Sequence, residues 1–167
     1  MDITTIVDEV VEQVRTIKHE SGCLVGIDGF DGSGKTTLAF ELARQMDGIR
    51  VGLDSYVEKD RDADSYVGLL RLDHLKRDLE NLCARFSVVV VDGVCLLEAL
   101  AVIGASVDLH IYVKKYSPQG LWHPGFHLED YLAGQPAGSW LERSVYGYHD
   151  SYAPHDRAAV HYHWSDA

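Results

Sequence analysis

Gly29-Phe30-Asp31-Gly32-Ser33-Gly34-Lys35-Thr36 follows the apolar run Leu24-Val25-Gly26-Ile27 and leads into the helix-like Thr37-Leu38-Ala39-Phe40-Glu41-Leu42-Ala43. The octet fits the phosphate-binding pattern G-x-x-x-x-G-K-[ST]. A loop set between a buried strand and an opening helix aims successive backbone N–H groups at an anion, aided by the positive end of the helix dipole. Gly29, Gly32 and Gly34 allow backbone angles that a Cβ forbids and let the chain approach phosphates closely. Gly29, Asp31, Gly32, Ser33, Gly34, Lys35, Thr36 and Thr37 are therefore the expected nucleotide-binding residues. Lys35 is expected to reach the β- and γ-phosphates, and the Thr36 hydroxyl to hold Mg2+.

The rest of the chain reads as strands alternating with helices. Ile6, Val7, Val10, Val11, Val14 and Ile17 recur at helical spacing, which predicts an amphipathic helix over about 3–20, ended by Ser21-Gly22. Strands are expected at 23–28 and 49–53. The helix after the loop should run to about Met46, a polar loop should cover 55–66, and Leu72 to Phe86 should form a long helix. Val88-Val89-Val90-Val91 reads as a central parallel strand buried on both faces. A short helix over 96–103 and a strand over 107–113 follow. Residues 114–138, with Pro118, Pro124 and Pro136, read as broken helix and loop. Trp140–Tyr152 reads as a helix and 158–163 as the last strand. The order implies an α/β three-layer sandwich of the P-loop NTPase type, with a mostly parallel five-stranded sheet. Residues 1–167 are expected to form a single domain with a lid-like segment over about 114–138.

Charge and cysteine content narrow the setting. A net charge of −11 argues against nucleic acid or an anionic membrane as partner, because phosphates would be repelled. Cys23, Cys83 and Cys95 are widely spaced, with no C-x-x-C pair, and fit a reduced cytoplasmic setting. The N-terminal stretch is acidic and carries no long apolar run, so neither a signal peptide nor a membrane span is expected.

Transfer of a phosphoryl group needs a cradle, a metal and a carboxylate that activates the acceptor. Asp92 follows the four valines, where it would join Thr36 in holding magnesium. Asp54 follows the second strand, at the sheet edge where it could take the proton of an acceptor hydroxyl. A capping role fits Asp54 equally well. Asp28 ends the first strand, where it could orient water around the metal or cap the loop.

These residues resemble a family. Gly26-Ile27-Asp28-Gly29 with DGSGKTTLA, then Asp54-Ser55-Tyr56, then VVVVDGVCLL, is similar to the uridine kinases, relatives of phosphoribulokinase and pantothenate kinase. The likeness covers about 22–113, with a fainter echo from Glu142-Arg143-Ser144-Val145 to Tyr152-Ala153-Pro154. It implies an ATP- and Mg2+-dependent phosphotransferase acting on a hydroxyl of a small molecule, a nucleoside such as uridine or cytidine first. The family motif reads like D-D-F-Y, its first Asp being the base. Asp54 and Tyr56 match it and Ser55 departs. Asp92-Gly93 stands where the family often has E-G. The family's lid carries paired arginines, whereas no Arg or Lys lies between Lys115 and Arg143 here. Arg143 is the candidate lid charge and third catalytic residue beside Lys35 and Asp54. Arg157 could sit near the base; Lys114 and Lys115 read as surface charges.

Other readings have less support. DGSGKTT is also similar to thymidylate kinases, but a nucleoside monophosphate acceptor needs cations that the lid region lacks. A Ras-type GTPase would carry N-K-x-D, which is missing. A non-catalytic ATP-binding regulator remains as the alternative from another class. His123 with His127, and His161 with His163, have no third zinc ligand at a familiar spacing, and Pro124-Gly125 argues against a smooth helix under the first pair. The aromatics of the C-terminal third read as core or as the interface of a homo-oligomer.

Overall fold

A computed structural model describes residues 2–17 and 22–165. Five strands make one sheet: β1 (Cys23–Asp28), β2 (Ile49–Gly52), β3 (Val88–Asp92), β4 (Leu109–Tyr116) and β5 (Val160–Ser165). Their order is β2-β3-β1-β4-β5 and every pairing is parallel. The expected mostly parallel sheet is thus wholly parallel. Among the described residues seven α-helices accompany it: α1 (Ile3–Thr16), α2 (Lys35–Gln45), α3 (Leu72–Cys83), α4 (Leu96–Val102), α5 (His123–Leu132), α6 (Trp140–Tyr152) and α7 (Pro154–Arg157).

The period-2 geometry of a strand divides the core in two. On β3, Val88 and Val90 enter one cluster while Val89 and Val91 enter the other. The first cluster holds Ile6, Val10 and Val14 of α1 and Leu38 and Leu42 of α2. The second holds Leu75 and Leu79 of α3 and Leu96, Ala99 and Leu100 of α4. Full burial of each Ile, Leu or Val side chain among these contributes about 1.5–3 kcal/mol before conformational entropy is counted. The four valines are a continuous apolar run because both faces of β3 are covered.

Register places the site. Ile27 of β1 and Gly52 of β2 both pair with Asp92 of β3. The carboxyl ends of the three strands therefore finish in one tier, with Asp28 and Asp54 one and two residues beyond the paired positions. In open parallel sheets this edge is where ligands sit.

Several boundaries differ from the sequence reading. The residues 18–20 assigned to the first helix, and Ser21 of its stop, lie outside the described residues. Leu53 leaves β2 and starts a 3₁₀ turn, Leu53–Tyr56. The long helix ends at Cys83 rather than Phe86. β4 runs on to Tyr116 and β5 to Ser165, because Lys114, Lys115 and Tyr116 pair with His163, Trp164 and Ser165. Within the segment read as broken, α5 is a regular ten-residue helix. Pro124 stands in its first turn, where the missing N–H has no intrahelical partner to lose.

Candidate active site

The loop after β1 is shaped by its glycines. Gly29 has φ +146°, and a Cβ there would lie 2.5 Å from the Val113 carbonyl oxygen and 2.9 Å from Ser33 Oγ. Gly34 has φ +93° and serves as the left-handed N-cap of α2. The first N–H groups of a helix have no intrahelical acceptor, so those of α2 face the loop. Two carboxylates fasten the loop, one buried and one at the surface. Asp28 Oδ1 accepts from the Gly29 N–H at 2.7 Å, and Asp31 Oδ1 from the Gly32 N–H at 2.9 Å.

Lys35, the first residue of α2, is 8% exposed and its Nζ donates to the Phe30 carbonyl at 2.6 Å. Burial lowers its pKa from the ordinary value; Asp28, Asp31, Asp92 and Asp54 oppose that shift. At the next residue, Thr36 Oγ1 donates to Asp92 Oδ2 at 3.1 Å. The fold brings these two together over 56 positions because α2 begins where β3 ends, at the same sheet edge. A hydroxyl and a carboxylate are hard oxygen donors of the kind Mg2+ takes together with substrate phosphates, so the residues fit that ion. Among the described residues no group of three His, Cys, Asp or Glu is placed to hold a metal on its own. His161 and His163 are both exposed on β5, and His127 is exposed on α5.

Asp54 stands in the 3₁₀ turn after β2. Its Oδ1 accepts from the Tyr66 hydroxyl at 2.8 Å. Burial first, and then Asp54, raise the Tyr66 pKa, so the phenol is a lasting donor. Asp54, Tyr66, Lys35, Thr36 and Asp92 all line one cleft of about 640 Å³. Its other wall is Phe30 and, from α6, Leu141, Val145 and Tyr146. Apart from Lys35, the charged residues of the lining among the described residues are Asp31, Asp54, Asp92 and Glu142.

Other expected residues stand apart from it. Thr37 is exposed in the first turn of α2 and is not among the lining residues. Arg143 is exposed on α6, beside the lining residue Glu142, and is not brought to Lys35. Arg157 directs its guanidinium at the Tyr152 carbonyl. Lys114 lies 4.1 Å from the Trp122 ring centroid and Lys115 4.6 Å from that of Trp164.

Four contacts were beyond the sequence reading. Arg50, in the middle of β2, grips Asp92 with Nε on Oδ1 at 2.7 Å and a terminal nitrogen on Oδ2 at 2.9 Å. Asp28, fully buried, accepts a short hydrogen bond from Tyr148 of α6, with the His110 ring at 3.7 Å. The Trp164 indole N–H donates to the Ser33 carbonyl at 2.7 Å, and the ring lies against Gly34. His149 stacks on Phe30. A charge between Ile49 and Val51 in a short strand was the one available signal for Arg50; the others depend on which distant elements meet.

The fold and the loop define the class: this is the P-loop kinase fold. Over 97% of this chain and all of the other, it is similar to a possible uridine kinase of Bacillus stearothermophilus, with 16% identity and a TM-score of 0.62. It is also similar to a candidate fructose transport system kinase of a Silicibacter species, with 15% identity, 98% and 99% coverage and a TM-score of 0.56. No family model matches the chain, and no curated protein does. No helix among the described residues is long and apolar enough to cross a membrane.

Proposed function

We propose that this protein is an ATP-dependent kinase that phosphorylates a hydroxyl of a small molecule without negative charge, with a nucleoside such as uridine or cytidine the first candidate. One observation carries the reading. Lys35, the Thr36–Asp92 pair and Asp54 open onto a single cleft that has room for a nucleotide and an acceptor. The resemblance of the two folds described above to this one supports it.

In this reading the loop amides and Lys35 neutralise charge on the moving phosphoryl group. Thr36 and Asp92 would hold magnesium, which when bound would draw charge from the phosphate oxygens. Asp54, oriented by Tyr66, takes the acceptor proton. Phe30 and Tyr146 give the cleft an aromatic wall for a planar acceptor to lie against. Arg143 joins the phosphates only if α6 closes over the cleft. A monophosphate acceptor is disfavoured, since its dianion would face Asp31, Asp54 and Glu142 with Lys35 already engaged.

The test is ADP formation from ATP with a panel of nucleosides, sugars and pantothenate. Acceptor-dependent ADP supports a kinase and names its substrate. Saturable ATP binding without any acceptor-dependent turnover would favour the non-catalytic regulator instead.

A further inference from the structure

The carboxylate expected to serve the metal already has a cation. Arg50 contacts both oxygens of Asp92 in a side-on fork, and its terminal nitrogen lies 3.4 Å from Thr36 Oγ1. The pair is well shielded: the side chains are 23% and 4% exposed. The guanidinium is also held from behind, with the Phe40 ring centroid 4.6 Å from its central carbon. It reaches Asp92 from the edge strand β2, lining a separate groove with Ser55 and Asn81, while Thr36 and Asp92 open onto the cleft. An arginine is charged at any working pH, and its planar fork matches a carboxylate. Asp92 is therefore neutralised before any metal arrives.

We propose that Arg50 is a resident counter-ion of the metal site: it supplies positive charge beside Thr36 in the absence of metal and opposes a divalent cation at Asp92. The proposal rests on the nucleotide reading of the cleft and adds a property to it. Two opposite consequences follow from the one contact. Loss of the guanidinium frees the Asp92 oxygens and removes a like charge, so metal binds tighter. The same loss takes a cation from the phosphate site, so nucleotide without metal binds more weakly. A purely structural role would weaken both.

The experiment uses the full chain and the variants Arg50→Gln and Arg50→Lys, with folding checked by thermal unfolding. Mn2+ affinity without nucleotide is read from the free-ion resonance signal, and ADP affinity in EDTA by calorimetry. The expected result for R50Q is Mn2+ binding tighter on the order of tenfold and metal-free ADP binding weaker by a similar factor. R50K keeps the charge without the fork, so its Mn2+ affinity rises less, about threefold, and its ADP affinity stays near that of the parent. Mn2+ affinity that is unchanged or lower in the folded variants overturns the proposal; if R50Q does not fold, R50K decides. A parent chain that binds no ADP would sink the nucleotide reading instead, and the Mn2+ comparison would still judge Arg50.

Discussion

The Phe30 ring, inside the phosphate-binding loop, lies flat on the His149 imidazole of α6, with centroids 4.2 Å apart and planes 9° from parallel. His149 is 2% exposed. Its Nδ1 donates to the Val145 carbonyl at 2.8 Å, which leaves Nε2 to accept from the Tyr112 hydroxyl at 2.7 Å. A neutral ring therefore joins the loop, α6 and β4. Burial lowers its pKa to about 4, against the pull of the Val145 hydrogen bond and Asp28.

That shift sets a direction for stability against pH. The unfolded chain protonates His149 near 6.5 and the folded chain only near 4. The unfolded state thus binds more protons between those values, and stability falls as pH drops from about 6.5 toward 4. From this group alone the loss by pH 5 is about 2 kcal/mol. Urea midpoints at pH 7 and pH 5 should differ more for the parent than for His149→Gln. Equal differences would mean that the ring does not titrate as its burial requires.

Lys35→Ala should lower phosphoryl transfer by about 10²–10³-fold, the scale for loss of one preorganised group at the developing charge. The fold should survive, because the Lys35 ammonium bonds to a single loop carbonyl and the residue lines the cleft rather than the apolar core. Acceptor-dependent ADP formation and far-ultraviolet dichroism check the two halves. Undiminished turnover would remove Lys35 from the chemistry.

Asp54→Asn should reduce kcat by about 10²-fold or more while ADP affinity stays within about twofold, as expected of an acceptor base that does not touch the nucleotide. Tyr66→Phe should cost far less, since it removes only the 2.8 Å hydrogen bond that aims Asp54. Parallel losses of kcat and ADP affinity in D54N would place Asp54 at the nucleotide.

Trp164→Phe keeps an aromatic ring but removes the indole N–H from the Ser33 carbonyl. The expected cost is about 1 kcal/mol of stability and a several-fold weaker ADP affinity by calorimetry. Unchanged ADP affinity would show that the loop holds its shape without this tether.

The sheet was legible because its signals are local. Val88–Val91 has no polar face, and the glycines of the loop punctuate a strand and a helix. Lys35, Thr36, Asp54 and Asp92 could be placed because each ends or follows a strand or opens a helix, and the ends of parallel strands share an edge. Pro124 misled as a helix breaker because its effect depends on its place in the helix: in the first turn it breaks nothing. The limits of β4 and β5 were hidden for another reason. Lys114, Lys115, His163 and Ser165 are polar, and the two segments extend by pairing with each other. Arg50, Trp164 and His149 answer to partners far along the chain, which no local pattern reports.

The indole tether spans 131 positions, from the final strand back to the loop after the first. During synthesis the glycine loop leaves the ribosome long before Trp164 has been made. A nascent chain can carry the whole octet and still lack the brace at Ser33. Competence to grip a polyphosphate should then arise late, as the closing strand docks, rather than when the motif itself emerges.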